Sequence, residues 1–503
     1  MNLNEQKLTD YLAEHSRKKA VSFHMPGHKG NRFFESVGRG ALVSRLADFD
    51  ITEIAGADNL FQPEGVLKRC MESYRELYDV KASRILINGS SSGIIASIMA
   101  SIGDGEKLIL AGNCHKSAIS GLTLARGVPV YMKPCIDEAS GISREITPEA
   151  VKKTVKENLD AKAVLITSPN YYGICSDIKA ISEVVRDAGM VLIVDQAHGA
   201  HLKFFAKTGK TKPLDAESLG ADIVINSTHK TLASFTQTAI INVCTDRVDI
   251  SLLDDMLQNV QSTSPSYVMM ASLDINADIL KEQGDALMNE WIDNIMYFRK
   301  EAEKIRGLNI LDHELLDISK INMDMSKLGL SGSELDDKLL EKGIFLELTC
   351  ANIAMAMTGI GNTREDYQCL LDALMEISKD ASDCMQGAGG ETEVKSSGLH
   401  SDCAQGAGGV CRSQDSGPAA ITSHKGGAQS AASAIPRARK LVHYTQADGL
   451  VCASAIVPYP PGVMLIAPGE RMELAVLEHA FRLRCDGQKV LGMSSEGFVY
   501  VGK

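Results

Sequence analysis

The pentapeptide Asn226-Ser-Thr-His-Lys230 follows directly on the apolar run Ala221–Ile225. A lysine at the end of a buried strand is costly unless it is paired, neutral or covalently bonded. A second cluster, Val194–His201 (VDQAHGAH), closes another apolar run with Asp195. A carboxylate so placed calls for a cationic partner, or serves as a helix cap. His198 and His201 complete an Asp-x-x-His-x-x-His spacing. Neighbouring acidic ligands are missing, and one histidine can instead pack beside a cofactor, so no metal is expected. A third cluster, Asn88–Gly93 (NGSSSG), leads into the helix-like IIASIMASIG. Hydroxyls and free N–H groups at a helix N-terminus make an anion site, which would let Ser90, Ser91 and Ser92 cradle a phosphate; a plain N-cap is the other reading. His115, in GNCHKSAISG, offers a ring that could stack on a cofactor, or is a surface residue at a helix start.

A phosphate cradle, a buried carboxylate and a buried lysine, in that order, are what pyridoxal 5'-phosphate requires. Its phosphate sits on a helix N-terminus, its ring nitrogen pairs with a carboxylate, and its aldehyde joins a lysine. Burial then has a use, because desolvation lowers the lysine's pKa and frees the amine to react.

These clusters need a scaffold that brings strand ends together. From about residue 80 the sequence alternates. Apolar runs at 83–89, 107–112, 128–132, 163–169, 190–196, 221–226 and 238–243 read as strands. Between several of them lie helical patterns. One has Thr147 as N-cap and Pro148 at the first helical position; another is capped by Ser176 or Asp177 and stopped by Gly189. Strand–helix alternation implies an α/β fold with a mostly parallel seven-stranded sheet, and such sheets bind ligands at the C-terminal strand ends. Three segments are expected: residues 1–60 as an N-terminal helix and active-site segment, 61–285 as the large cofactor-binding domain, and 286–503 as a smaller α+β C-terminal domain. Within the last, residues 380–437 are rich in Gly, Ala and Ser, and SDCMQGAGG (382–390) returns as SDCAQGAGG (401–409). Two copies are too few for a solenoid, and this composition buries no core, so a flexible insert is expected.

The chain has 503 residues, 44% hydrophobic and 23% charged, with a net charge of −12. That balance is ordinary for a globular protein and gives no basic face for nucleic acid. The first twenty residues read as a polar amphipathic helix without the apolar core of a signal peptide, and no run is long enough to span a membrane. The 12 cysteines form no CxxC pair and read as reduced cytoplasmic thiols.

Eight ordered motifs together resemble the bacterial Orn/Lys/Arg decarboxylase family: SFHMPGHKG (22–30), TEIAGADNLFQPEG (52–65), NCHKS (113–117), TSPNYYGICSD (167–177), VDQAHGAHL (194–202), NSTHKTLASFTQ (226–237), STSPSYVMMASLD (262–274) and VPYPPGVMLIAPGE (457–470). The resemblance is to the shorter branch, without a receiver-like domain, and covers nearly the whole chain outside 380–437. It implies a fold-type-I pyridoxal-phosphate enzyme, aspartate aminotransferase-like in its large domain, working as a homodimer or larger assembly with interfacial active sites. Carried over by motif, Lys230 would form the Schiff base, Asp195 pair with the ring nitrogen, and His115 stack on the ring. Ser90, Ser91, Ser227 and His229 would hold the phosphate, with Thr263 or Ser264 from the neighbouring subunit, and His198 would lie near the ring. The family often carries Glu where this chain has Gln196, and Thr where Ser91 and Asn170 stand.

The implied reaction is decarboxylation of arginine, lysine or ornithine, with arginine favoured, to an amine of polyamine metabolism. Asp195 keeps the ring nitrogen protonated, and Lys230 or His198 returns a proton to the α-carbon. Glu347, in GIFLELTC, is a candidate for binding the substrate's distal cation. The rivals are another fold-type-I reaction, an aminotransferase or lyase, and a non-catalytic regulatory paralogue.

Overall fold

A computed structural model describes residues 7–18, 20–137, 142–387, 435–436, 438–459, 463–485 and 488–503. Strand β1 (Val21–Phe23) lies in the N-terminal segment. The seven apolar runs become β2 (Ala82–Leu86), β3 (Lys107–Ala111), β4 (Val128–Met132), β5 (Ala163–Thr167), β6 (Val191–Asp195), β7 (Ile223–Asn226) and β8 (Ala239–Val243). They form one sheet in the order β2-β8-β7-β6-β5-β3-β4, with β8 antiparallel to both its neighbours. The central strands are buried on both faces, which is why they read as unbroken apolar runs rather than alternating ones.

The connecting helices begin where side chains satisfy free N–H groups. The Thr147 hydroxyl accepts the Ala150 N–H at the start of Pro148–Glu157. Asp177, not Ser176, caps Ile178–Asp187; the Ser176 hydroxyl is taken by the Ile146 N–H at 3.1 Å. Helix Gly89–Ser101 lies tight on the sheet because Gly93 has no side chain. A Cβ there would stand 2.6 Å from Leu86 Cδ1 and 3.2 Å from Ile225 Cγ2.

The 36-residue helix Tyr267–Ala302, about 54 Å long at 1.5 Å per residue, buries Met270, Leu273, Trp291 and Phe298 in the main core. It runs straight through the domain boundary expected at 285. Its buried residues recur along the whole length, so the chain has no reason to break there. Beyond it, β9 (Asn309–Ile310), β10 (Lys320–Asp324), β11 (Ile344–Leu346), β12 (Leu348–Cys350) and β13 (Ile353–Met357) follow. An antiparallel sheet has the order β12-β13-β10-β9, while β11 pairs with β1.

Residues 286–503 are two packing units rather than one. The part up to the helix Arg364–Gly387 shares the main core through Tyr367, Leu370 and Leu374. Residues from β14 (Arg439–His443) through β15 (Val457–Tyr459), β16 (Lys489–Leu491) and β17 (Phe498–Gly502) have their own cluster of Ile456, Ile466, Met472, Leu477 and Val499. Residues 380–387 of the expected insert are helical; most of the rest lies outside the described residues. Among the described residues, no helix is long and apolar enough to cross a membrane.

Candidate active site

The parallel strands set their C-terminal ends in one row: Thr167 is in register with Asp195, and Asp195 with Ile225. The polar clusters therefore leave the sheet side by side. Lys230 sits on the single-turn helix Thr228–Thr231 just after β7. Its Nζ lies 2.8 Å from His198 Nε2, on the turn after β6. Tyr171, after β5, packs on both: its ring centre is 4.3 Å from that of His198 and 5.8 Å from Lys230 Nζ.

Burial pushes the Lys230 amine down to about 8, against the pull of Asp195 and Glu347 and with a further push from Lys320. Burial, then the Lys230 charge, hold His198 well below its usual range, which favours the neutral ring, and Nε2 is the ring nitrogen that meets the lysine. Asp195 is buried and accepts the Ala197 N–H; burial raises its carboxyl, against Lys230. Burial and Lys230 push His115 down to about 4. Its Nδ1 caps helix Lys116–Leu124, and its backbone pairs with Val463 of the C-terminal motif. The structure thus brings Lys230, Asp195, His198 and His115 into one electrostatic group.

The phosphate candidates divide. Ser227 is fully buried, and its hydroxyl has no partner among the described residues. His229 lies 2.7 Å, through Nδ1, from the Thr238 carbonyl, and burial lowers it to about 4. Ser90 and Ser91 are half-buried in the first turn of Gly89–Ser101, whereas Ser92 is buried and its hydroxyl turns back to the Gly89 carbonyl at 2.8 Å. The Gln237 amide donates to the Ile87 carbonyl at 2.9 Å, tying this helix start to the loop that holds His229. Thr263 and Ser264 are exposed, in the turn before the long helix.

The N-terminal motif covers the lysine's turn. The Gly27 N–H donates to the His229 carbonyl at 2.8 Å, and a Cβ on Gly27 would stand 2.3 Å from the Thr231 carbonyl carbon. Glu347 Oε2 accepts the Met25 N–H at 2.9 Å. Lys29 donates to the carbonyls of His24 and Met357, and burial takes its amine down to about 7.

Two buried polar clusters support the row of strand ends. Glu217 accepts from the side-chain amides of Gln196 (2.9 Å), Asn226 (2.7 Å) and Asn242 (2.9 Å). Asp317 accepts from His201 Nε2 (2.9 Å), Lys320 Nζ (3.0 Å) and the Ser319 hydroxyl (2.9 Å), and Lys320 also donates to the His198 carbonyl at 3.1 Å. His198 and His201, equally spaced from Asp195 and from each other, therefore face different partners. Sequence reasoning missed Tyr171, Glu217, Asp317 and Lys320. Tyr171 stands in a quoted motif and was within reach; a lone lysine beside an apolar strand carries no local signal.

The residues fit pyridoxal phosphate: a buried amine lowered to about 8, a buried carboxylate whose charge acts on it, and a buried Ser227 hydroxyl at a helix N-terminus with no partner among the described residues. The sheet and this row of residues have the architecture of the fold-type-I pyridoxal-phosphate enzymes. Solved structures agree on the fold. Lysine decarboxylase A from Pseudomonas aeruginosa superposes with a TM-score of 0.72 at 19% identity, over 98% of this chain and 80% of that one. Serine palmitoyltransferase from Sphingomonas wittichii does so at 0.56 and 16%, over 72% and 88%. The sequence matches the Orn/Lys/Arg decarboxylase major domain over residues 6–323 and the C-terminal domain of that family over residues 420–487. The chain belongs to the Orn/Lys/Arg decarboxylase family. It is 28% identical to arginine decarboxylase of Bacillus subtilis (strain 168), over 98% of this chain and 96% of that protein. To the constitutive lysine decarboxylase of Escherichia coli (strain K12) it is 23% identical, over 97% and 78%.

Proposed function

We propose that the protein is a pyridoxal-phosphate-dependent decarboxylase of basic amino acids, arginine ahead of lysine and ornithine, acting as a cytoplasmic homodimer or larger assembly in polyamine metabolism. The observation that carries this is the Lys230 amine, lowered to about 8 and set 2.8 Å from a neutral His198 in a group that includes Asp195. The likeness to a Bacillus arginine decarboxylase along nearly the whole of both chains supports arginine.

Bound pyridoxal phosphate supplies an aldehyde that joins amines and a ring that accepts the electrons of the broken carbon–carbon bond. The chain's own residues do the rest. Lys230 would hold the cofactor covalently. Asp195 would pair with the ring nitrogen and His115 would stack on the ring. Ser227, His229, Ser90 and Ser91 would hold the phosphate, with Thr263 or Ser264 of a second copy; Ser92, whose hydroxyl is turned inward, would offer its backbone N–H. His198, through Nε2, would exchange a proton with Lys230, a reading supported by the 2.8 Å contact between these two atoms. Tyr171 holds the His198 ring in that pose. Glu347 binds the substrate's distal cation; its charge already acts on Lys230.

The test is CO2 release from the full-length protein with added pyridoxal phosphate, given arginine, lysine and ornithine separately. Arginine is expected to be turned over fastest, and Lys230→Ala to lose at least about a thousandfold in rate, as removal of a covalent nucleophile does. Cofactor binding without CO2 from any of the three would move the assignment to transamination or lyase products. Glu347→Gln is expected to raise KM for the basic substrate about tenfold or more, with a smaller change in kcat, because a charge pair is lost from binding.

A further inference from the structure

Lys320 reaches the site from the other sheet. It is the first residue of β10, has no exposed surface, and donates three hydrogen bonds: to Asp317 Oδ2 (3.0 Å), the Ser319 hydroxyl (3.0 Å) and the His198 carbonyl (3.1 Å). Two of these acceptors are local. The third belongs to the residue whose ring meets the reactive lysine. A fully buried ammonium is retained only where its charge is paired and its donors are used, and here all three are.

We propose that Lys320 is a positioning residue for the reaction: its ammonium, anchored by Asp317, clamps the His198 backbone so that the imidazole stays on Lys230 Nζ, and its charge eases loss of the Lys230 proton. The proposal rests on the reading of Lys230 as the reactive amine. The groups that act on Lys230 are Asp195 and Glu347, which favour its charged form, Lys320, which disfavours it, and His115, His198 and His229, all held neutral. Around Lys320 are Asp317, the His201 ring bonded to Asp317, Cys175 and, further off, Lys29. Lys320 is the cation on that list that also touches the His198 backbone, so geometry and charge act on one pair of atoms.

The test needs no turnover. Reductive methylation of the cofactor-free full-length chain, followed across pH by peptide mass spectrometry, gives the midpoint at which Lys230 becomes reactive. Wild type is expected near 8. Lys320→Gln, which still donates hydrogen bonds but carries no charge, is expected to move that midpoint up by roughly one pH unit, and Lys320→Arg to leave it close to wild type. A Lys320→Gln profile that overlays wild type in a folded protein overturns the proposal. If neither variant folds, wild type decides: Lys320 is expected to stay unlabelled while Lys230 reacts, and labelling of both together overturns it. A shifted midpoint in a chain that releases no CO2 would count against the decarboxylase reading alone.

Discussion

Two buried clusters hold the same row of strand ends, and they are built from opposite materials. The cluster around Glu217 lies within the large sheet. It draws on β8 through Asn242, on β7 through Asn226 and on the residue after β6, Gln196; three amides satisfy one carboxylate, and among the described residues no cation bonds to it. The cluster around Asp317 crosses from the turn after β6 to β10 of the second sheet, and it is ionic: Asp317, Lys320 and His201 are all without exposed surface or nearly so. The difference follows from what each must fix. Strands already in register need only their side chains aligned, and amides do that without a charge pair. The two sheets are separate, tied near this point by the Ile174–Leu316 backbone bridge, and the ion pair beside it adds a contact that is strong in low dielectric.

The largest effect is expected on breaking the ionic cluster. Asp317→Ala leaves Lys320 buried and unpaired, and is expected to cost about 3–5 kcal/mol in urea unfolding. The pH dependence has a definite sign. Burial alone would raise the Asp317 carboxyl, but His201 and Lys320 override it and hold it well below the usual range. Its contribution is therefore complete above the unfolded value of about 3.9 and is lost as pH falls through the folded value. The gap between wild type and Asp317→Ala should narrow only in strong acid. A gap constant down to the lowest accessible pH would show that the ion pair does not stabilise this junction.

Glu217→Gln tests the amide cluster and is expected to cost less, about 1–3 kcal/mol, since an amide then faces amides and one donor is left unmet. The pH trend runs the other way. Burial, then Asp215, raise the Glu217 carboxyl against the amides of Asn242 and Asn226. A raised acid loses stability as pH rises from its unfolded value of about 4.3 through the folded one. The penalty of Glu217→Gln should thus be greatest in acid and shrink toward neutrality. Gln196→Glu, which sets a second carboxylate 2.9 Å from the first, should be worse than Glu217→Gln. Adding Glu217→Gln to it should restore part of the loss; no restoration would mean the two side chains do not act as a pair.

The same contrast explains what was legible in the sequence. All seven strands of the large sheet were, because strands buried on both faces leave uniform apolar runs, and so were Lys230, Asp195 and His198, which interrupt those runs at their ends. The helix caps Thr147 and Asp177 were local signals too. The amide cluster was half visible: Gln196 and Asn226 adjoin Asp195 and Ser227, but Glu217 sits in a loop whose partner strands are assembled only by the fold. The ionic cluster was not visible, since Lys320 and Asp317 are ordinary residues until a second sheet brings them under His198. The boundary expected at 285 falls within Tyr267–Ala302, a helix that stays in one core throughout.

The smallest predicted effect compares one hydroxyl from each cluster. Ser83 is buried, and its hydroxyl donates to the Asn242 Oδ1 at 2.7 Å, the outer link of the amide chain. Ser319 is equally buried; its hydroxyl donates to Asp317 Oδ2 at 2.9 Å and accepts from Lys320 at 3.0 Å. Neutral hydrogen bonds contribute about 0.5–1.5 kcal/mol and those to charged groups about 1.5–3. Ser319→Ala should therefore shift the urea midpoint about twice as far as Ser83→Ala. It should also disturb activity, because it loosens the ammonium that holds His198, whereas Ser83→Ala leaves Asn242 bonded to Glu217 and should leave kcat/KM unchanged. Equal shifts would mean that the ionic cluster is screened by water and that its charges act no more strongly than the amides do. A selective loss of activity in Ser319→Ala, at a small cost in stability, would show that this cluster is tuned to the site rather than to the fold.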